Sequence, residues 1–340
     1  MGGPHFLDNL PQACQVTWAA RFQEWLYRGN PGRLAKLGSS FFQRIGPHRR
    51  RSPRIAPVDA PTIVVGGLSL GGAGKTPVTM FIAAHLRTFG RVAVVCRGWG
   101  GSAKGVRRVS GHTPEIDGDE ATLMRRCLPM DVSVWAGRDL VDTRTHAAQF
   151  CDYVVVDDGY QTRALPATVD VVVMDATAPT RCLPAGPLRE PLDALNHADF
   201  IWLNKTNEPG ARPLPQPWTD CIESAYRVNE VVFGNGQVQP VSWLNGQCVR
   251  IWTGIGRPQS FVHALRAAGA IITDGMIGID HRSPRLPGQD DVFANGVWLT
   301  TEKDWARGPI PAGAGVVRST LEMTSGAGRF NAMLDVVVNS

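Results

Sequence analysis

The stretch Thr62-Ile-Val-Val-Gly66, followed by Ser69-Leu-Gly-Gly-Ala-Gly74-Lys75-Thr76, decides the fold of this chain. Its first part is a β-branched run typical of a buried strand, and an apolar-periodic helix runs from the loop to about Phe89. A glycine-rich turn between a strand and a helix lets backbone N–H groups face phosphate oxygens, and the helix N-terminus favours negative charge. The sequence therefore predicts that Lys75 reaches the β- and γ-phosphates of a nucleotide and that the Thr76 hydroxyl ligates Mg²⁺.

The loop departs at one position from the strict phosphate-binding pattern, which has glycine where this chain has Ser69. Its strand–loop–helix context still predicts a nucleotide site. The residues predicted to bind the nucleotide are Ser69, Gly71, Gly72, Ala73, Gly74, Lys75 and Thr76. The alternative is a glycine-rich helix start with an incidental lysine.

A second buried strand, Tyr153 to Val156, ends in the acidic pair Asp157-Asp158. In a protein with a phosphate loop, a carboxylate directly after an apolar strand is where the acid that binds Mg²⁺ lies. Two adjacent aspartates are costly unless a cation or hydrogen-bond donors relieve their repulsion. We therefore predict a metal role for Asp157 and Asp158 in preference to a plain turn.

The order of elements predicts an α/β fold. Strands alternate with helices, and the strands are continuously apolar, so we expect a mostly parallel, helix-covered sheet of P-loop NTPase type. A length of 340 residues suggests two domains, and the hairpin-like stretch 226–244 suggests a two-stranded link to a smaller α/β domain. The predicted parts are an N-terminal segment 1–55, a P-loop domain 56–222, a β-hairpin linker 223–245 and a smaller domain 246–340.

Composition excludes several classes of protein. With 43% apolar and 19% charged residues the chain has enough apolar side chain for a core, so it is not a disordered protein. No apolar run approaches ~18 residues, and the first 30 residues lack a signal-peptide pattern, so we expect neither a conventional transmembrane helix nor secretion. Seven cysteines without a CxxC pair indicate reduced thiols in a cytoplasmic compartment.

The N-terminal segment is basic and amphipathic. Residues 28–54 contain eight Lys/Arg and no Asp or Glu, whereas the remainder of the chain has a slight excess of acidic residues. Trp18, Phe22, Trp25 and Leu26 follow helical spacing, and a basic run, 48–51, comes later. This pattern suits the surface of an anionic membrane. Two alternatives are a pair of helices packed on the domain with a solvated basic tail, and a basic arm for nucleic acid.

The residues alone leave the acceptor of the phosphate open, and three classes of protein compete. The first is a Mg²⁺–nucleotide enzyme. The second is a GTPase switch or metallochaperone, because Asn204-Lys205-Thr206-Asn207 looks like the start of a guanine-reading motif, although Asn207 lacks the carboxylate that would bind guanine. The third is a catalytically inactive scaffold, against which the retention of Lys75, Thr76 and both aspartates argues.

Several further motifs occur in a fixed order and carry a family resemblance. They are Gly71-Gly-x-Gly-Lys-Thr-Pro77, Arg97-Gly-Trp-Gly-Gly101, Gly118-Asp-Glu120, Asp157-Asp-Gly-Tyr-Gln161, Leu183-Pro-Ala-Gly-Pro-Leu-Arg-Glu190, Gly254-Ile-Gly256, Asp280-His281 and Thr301-Glu-Lys-Asp304. From about Pro57 to Arg307 the chain resembles the tetraacyldisaccharide 4′-kinases, the lipid A 4′-kinases of Gram-negative bacteria. The stretches ending in Glu190 and Asp304 are more specific than the phosphate loop.

The resemblance implies ATP- and Mg²⁺-dependent phosphorylation of the 4′-hydroxyl of an acylated disaccharide 1-phosphate. It implies that Asp157, Asp158 and Glu190 are the metal-site acids, that Asp119 is the catalytic base and that His281 is paired with this base. It also implies a lipid substrate, a peripheral location on the cytoplasmic face of the inner membrane, contact with an anionic membrane surface, and no nucleic acid partner. From local spacing alone, Asp119-Glu120 could equally be an ordinary acidic helix start.

Overall fold

The computed structural model of the protein describes residues 14–17, 21, 25–27, 32, 35, 39, 56, 57, 59–278 and 296–340. In chain order the strands are β1 (Gln15–Val16), β2 (Thr62–Gly67), β3 (Val92–Cys96), β4 (Arg107–Arg108), β5 (Ser133–Ala136), β6 (Tyr153–Val156), β7 (Val169–Asp175), β8 (Phe200–Asn204), β9 (Ile222–Phe233), β10 (Val238–Pro240), β11 (Cys248–Thr253), β12 (Ile271–Ile277), β13 (Val297–Thr301) and β14 (Gly315–Ser325). The α-helices are α1 (Lys75–Leu86), α2 (Pro114–Asp117), α3 (Asp119–Cys127), α4 (Leu140–Ala148), α5 (Pro258–Ala267), α6 (Glu302–Arg307) and α7 (Ala327–Val338). Short 3-10 helices span Leu192–His197 and Val241–Leu244.

The larger of two compact units comprises residues 32–225 and 323–340. Its strand order is β9-β8-β7-β2-β6-β3-β5-β4, and the pairs from β9 to β5 are parallel, whereas β4 runs antiparallel to β5. β2, which leads into the phosphate loop, lies between β6 and β7. The carboxyl ends of β2 and β6 therefore meet at one edge, and in open α/β sheets ligands bind at this edge.

Burial explains why the strands of this sheet are continuously apolar. Every residue of β2, β3 and β7 is buried, because helices cover both faces. Residues of α4 share a core with Val64, Ala93 and Val95. On α1, Phe81 makes edge contacts with Trp202 of β8 and Phe330 of α7. The predicted α/β class with a P-loop-type parallel sheet is confirmed.

The smaller unit comprises residues 1–31 and 226–322. Its strand order is β1-β12-β11-β13-β14-β9. β12 is parallel to β1 and β11, β13 is parallel to β11 and β14, and β10 pairs antiparallel with β9. α5 packs its buried residues Phe261, Val262 and Leu265 into a core that includes Val249 and Ile251.

The Thr301–Asp304 motif forms a helix cap inside the smaller unit. The Asp304 backbone N–H donates to Thr301 Oγ1 (3.2 Å), and the hydroxyls of Thr301 and Thr253 donate to Asp304 Oδ2 (2.8 and 2.7 Å). The other carboxylate oxygen accepts the Gly254 N–H (2.9 Å) and Arg307 Nη1–H (2.9 Å). Because Asp304 is fully buried, this motif fixes the loop after β11.

Several sequence expectations differ from the structure in detail. The predicted hairpin exists, but its second strand is only β10, because residues 241–244 form a 3-10 helix instead of extending it. The chain passes from one unit to the other at 31/32, within β9 at 225/226 and within β14 at 322/323, and residues 323–340 belong to the larger unit. The predicted domain boundaries otherwise stay a prediction. In the N-terminal segment, Trp25 is exposed and Leu26 buried, whereas Trp18, Phe22 and the basic residues of 28–54 lie outside the described residues.

Candidate active site

The phosphate loop owes its shape to glycines with positive φ. Gly71, Gly72 and Gly74 have φ of 54°, 73° and 87°, a region that other L-residues adopt only with strain. Gly74 directly precedes α1, so the loop opens at a helix N-terminus. Successive backbone amides in such turns form a concave site for an anion. The backbone of residues 71–74 therefore has a geometry that suits the predicted phosphate site.

Asp157 is buried, and its carboxylate accepts hydrogen bonds from side chains of α1. The hydroxyls of Thr76 and Thr79 donate to its two carboxylate oxygens, at 2.9 and 2.8 Å. Burial, together with the negative charges of Glu120 and Asp158, raises the pKa of Asp157 to about 7, although the hydrogen bonds from Thr79 and Thr76 act in the opposite direction. Among the described residues no Lys or Arg forms an ion pair with Asp157, although two hydroxyls donate to it.

Asp158 has the opposite environment. Its Oδ1 lies 3.4 Å from Lys75 Nζ and 3.4 Å from Arg189 Nη2. Burial alone would raise the pKa of Asp158, but the charges and hydrogen bonds of Lys75 and Arg189 outweigh it and hold the pKa below its ordinary value. The two adjacent aspartates therefore have different partners. Asp158 forms an ion pair with Lys75 of the loop, and Asp157 accepts a hydrogen bond from Thr76.

The Leu183–Glu190 stretch runs alongside the start of the phosphate loop. The Leu70 N–H donates to the Pro187 carbonyl (2.9 Å), and the Arg189 N–H donates to the Leu68 carbonyl (2.6 Å). Glu190 is buried, and its Oε1 accepts a hydrogen bond from Gln161 Nε2 (3.0 Å). Gln161 also donates to the Gly67 carbonyl (2.9 Å), so one side chain connects Glu190 to the end of β2.

Asp119 begins α3 and lies against the Arg97–Gly101 loop. A Cβ on Gly118 would overlap the carbonyl oxygen of Trp99, and one on Gly101 would overlap that of Ile116, so both positions require glycine. A Cβ on Gly100 would lie 3.7 Å from Asp119 Oδ1. Gly100 thus lies next to this carboxylate, which is buried. His281, its predicted partner, lies outside the described residues.

Sequence reasoning missed the supporting contacts of Thr79, Arg189 and Lys205. Thr79 follows Thr76 by one helical turn, so helical spacing could have predicted that it shares the Asp157 carboxylate. Arg189 Nη2 donates to the Gly67 carbonyl (3.1 Å) and lies next to Asp158, a long-range contact that no local pattern signals. Lys205 was noticed only as part of a possible guanine motif.

The residues fit a bound Mg²⁺ ion in the manner of nucleotide enzymes. Among the described residues, no group of three or more His, Cys, Asp or Glu side chains forms a metal cage. Mg²⁺ usually keeps several waters and is held by one or two protein oxygens plus substrate phosphates. The Thr76 hydroxyl and the high-pKa carboxylate of Asp157 provide such a pair, since a cation there would offset the charge that burial makes costly.

A parallel sheet that carries a phosphate loop, with a buried acid at the end of the neighbouring strand β6, defines a P-loop nucleotide-binding protein. The sequence profile of the family described as tetraacyldisaccharide-1-P 4′-kinase (LpxK) matches residues 38–338. The chain belongs to this family, and it is a kinase.

Curated relatives and a solved structure agree with the family match. A tetraacyldisaccharide 4′-kinase of Anaeromyxobacter dehalogenans is 33% identical, with 82% of each chain covered. One of Halorhodospira halophila is 34% identical, covering 82% of this chain and 85% of the relative. The crystal structure of Aquifex aeolicus LpxK in complex with ATP has a TM-score of 0.70 at 24% identity, covering 89% of this chain and 98% of that one. This last likeness shows the fold.

The high pKa of Asp157 predicts an unusual pH dependence of stability in the metal-free protein. A carboxyl whose pKa is raised on folding binds a proton more tightly when folded, so its contribution to stability is lost as pH rises. Between pH ~4 and ~7 the free energy of unfolding should fall by on the order of 4 kcal/mol at most. We expect Asp157→Asn to remove this decline and to be more stable than wild type at pH 8 in EDTA, as measured by urea unfolding.

Asp158→Asn is the matched control, and its effect should have the opposite sign. Because Lys75 and Arg189 hold the pKa of Asp158 low, its contribution is present at neutral pH and lost only in acid. Asp158→Asn should therefore destabilise the protein at pH 7. Equal destabilisation by both substitutions would contradict the assignment of different environments.

Proposed function

We propose that this kinase transfers the γ-phosphate of ATP, with Mg²⁺, to the 4′-hydroxyl of a tetraacyldisaccharide 1-phosphate. The family, whose curated relatives carry this activity in their names, supports the acceptor. The observation that carries the site assignment is the pair of hydrogen bonds from Thr76 and Thr79 to buried Asp157, beside Lys75 and Asp158. The ATP complex of the Aquifex aeolicus protein, which shares the fold, supports ATP as the donor.

In this proposal the phosphate loop binds and orients the nucleotide. Backbone amides of residues 71–74 face the phosphates, and Lys75 leaves part of its contact with Asp158 to bind the β- and γ-phosphate oxygens. Thr76 and Asp157 would hold Mg²⁺, with Glu190 as a further predicted ligand. A bound ion would supply positive charge beside the transferred phosphoryl group.

Asp119 is proposed to accept the proton of the acceptor hydroxyl. A sugar hydroxyl is a poor nucleophile until its proton has an acceptor, and a positioned carboxylate supplies one. Gly100 of the Arg97–Gly101 loop lies next to this carboxylate, which begins α3. The family resemblance adds His281 as the residue that orients or tunes Asp119.

Transfer of labelled γ-phosphate from ATP to the purified glycolipid tests the proposal directly. We expect a product that requires Mg²⁺ and the acceptor, with ATP consumed in equal amount. GTP in place of ATP separates this function from a GTPase switch. Nucleotide hydrolysis that is preferentially supported by GTP and independent of the lipid would overturn the proposal.

A peripheral position on the cytoplasmic face of the inner membrane is proposed from the family and the basic N-terminal segment. Within the part of the chain that the structure describes, no helix is long and apolar enough to cross a bilayer. If the segment lies at the interface, vesicle binding should rise with anionic lipid and fall with salt, because exposed charges are screened over ~8 Å at physiological ionic strength.

Charge removal in the basic run tests this membrane contact. Changing Arg49, Arg50 and Arg51 together to Gln should lower the fraction of protein that co-sediments with anionic vesicles. Neutral vesicles provide the baseline. Equal binding to neutral and anionic vesicles would instead support helices packed on the protein with a solvated basic tail.

A further inference from the structure

The Asn204-Lys205 pair at the end of β8 contacts the phosphate loop. Lys205 Nζ donates to the Gly72 carbonyl oxygen at 2.5 Å and to Asp175 Oδ2 at 2.7 Å. Asn204 Nδ2 donates to the Ala73 carbonyl oxygen at 3.0 Å. Two consecutive carbonyl groups of the loop are thus held by two consecutive residues of a neighbouring element.

The side chains that hold these carbonyls are themselves fixed. Asn204 and Lys205 are buried, and Lys205 has a φ of 66°, which non-glycine residues adopt rarely. Asn204 Oδ1 accepts the Lys205 N–H (2.8 Å) and the Ser224 hydroxyl (3.0 Å). Asp175 accepts the Thr177 hydroxyl at 2.6 Å as well as the lysine. Residues with unusual backbone angles that are held by such contacts often serve function.

Hydrogen bonds to the loop carbonyls also set the direction of the loop N–H groups, because the peptide group is planar. In a planar trans peptide the C=O and the following N–H point in opposite directions. Fixing the carbonyls of Gly72 and Ala73 toward β8 therefore directs the N–H groups of Ala73 and Gly74 away from β8. An ammonium on a carbonyl oxygen also polarises the peptide, which strengthens its N–H as a donor.

We propose that Asn204, Lys205 and Asp175 form a clamp that positions the phosphate loop for its nucleotide. These are positioning residues, since they contact the loop and act through it. The same Asn-Lys dipeptide that resembles a guanine-reading motif thus has its side chains directed at the loop backbone. The inference rests on the proposed nucleotide site. It adds the residues that keep the phosphate loop in the conformation that binds the nucleotide.

A charge-balanced double variant tests the clamp. Lys205→Met alone would bury an unpaired Asp175, so Lys205→Met with Asp175→Asn removes both charges at once. The dissociation constant of MgATP, measured by calorimetry, should rise at least ~10-fold, because the lost contacts involve a charged donor. The KM for the glycolipid should stay within about twofold, and hydrogen exchange should become faster in the peptide covering residues 68–76.

Asn204→Ala serves as a second variant that buries no unpaired charge. It removes the bond to the Ala73 carbonyl together with the bonds that Oδ1 accepts from the Lys205 N–H and the Ser224 hydroxyl, and it leaves the Lys205–Gly72 contact in place. We therefore expect a smaller rise, about 3- to 10-fold, in the same dissociation constant. It keeps the test decisive if the double variant does not fold.

Arg144→Met is the matched control. Arg144 is also a buried cation of the larger unit, bound to Asp59, Ala60 and Thr62 at the amino end of β2. A six-residue strand, about 20 Å, separates that end from the phosphate loop. This variant should lower the melting temperature but leave ATP affinity and exchange of the loop amides unchanged.

The outcomes separate the clamp from the proposed function. If wild type does not bind MgATP, the proposed function fails, and faster loop exchange in the nucleotide-free variants still tests the clamp. If wild type binds ATP and the folded variants bind it equally well with unchanged loop exchange, the clamp is refuted. Equal loss of affinity in Arg144→Met would also refute it, because general destabilisation would then explain the effect.

Discussion

Lys75→Ala should lower the rate of phosphate transfer by at least ~10³-fold, because a cation aimed at the transferred phosphoryl group is among the largest contributions in this chemistry. The fold should survive the change. Arg189 remains 3.4 Å from Asp158, so this partly buried carboxylate keeps one of its two cations. Single-turnover transfer of labelled phosphate measures the rate, and thermal unfolding measures the stability.

Lys104→Ala provides the control for this loss. Lys104 is exposed on the loop that precedes β4, so its removal should change neither rate nor stability. Thr76→Ser, which keeps the hydroxyl that bonds Asp157, should retain most of the activity that Thr76→Ala loses. A near-wild-type rate in Lys75→Ala would refute the nucleotide assignment of the loop.

Asp119→Asn should reduce kcat by about 10²- to 10⁴-fold with little change in ATP affinity, as expected for loss of a general base. The substitution keeps the size of a side chain whose surroundings are tightly packed backbone, so the local structure should persist. His281→Ala should fall in the same range if it orients or tunes the same carboxylate. Steady-state kinetics with varied glycolipid and fixed saturating ATP separates kcat from binding.

The double variant distinguishes a joint role from two separate ones. Residues that act as a unit are non-additive, so Asp119→Asn with His281→Ala should lose much less than the product of the single losses. Asp139→Asn is the control, because Asp139 also lies at a helix start and an asparagine can still accept the N–H groups of Val141 and Asp142. Strictly multiplicative losses would contradict the pairing.

Local patterns were enough to predict the sheet and its ligand edge. β2, the loop and α1 follow from a β-branched run, closely spaced glycines and an apolar helical period, all of which act within a few residues. The end of β6 could be predicted as well, because a continuously apolar strand stops where Asp157 begins. Since parallel strands end at one edge, their adjacency made the meeting of the loop with Asp157 a reasonable expectation.

Other elements could not be predicted from the sequence, because their conformation depends on contacts with residues far away in the chain. The hairpin after β9 was expected to extend to residue 244, but residues 241–244 turn into a 3-10 helix, and Leu244 of this turn is buried in the core of the smaller unit. The Thr301–Asp304 motif is specific for the family resemblance, but the sequence does not indicate what the aspartate contacts. In the structure the Asp304 carboxylate accepts hydrogen bonds from Thr253, Gly254, Thr301 and Arg307, which fix the loop after β11.

The sequence by itself determined the phosphate loop, the parallel sheet and the candidate site residues. The reason is that glycines, apolar periods and adjacent acids act on the conformation and burial of residues close to them in the chain. Only the tertiary structure decided how those residues are tuned. Asp157 and Asp158 are identical side chains next to each other, yet Lys75 and Arg189 lower the pKa of one while burial raises the other. Arg189 is 31 positions away from Asp158, and Lys205 is 133 positions away from Gly72. Contacts of this range depend on strand order and burial, which no short window of sequence contains.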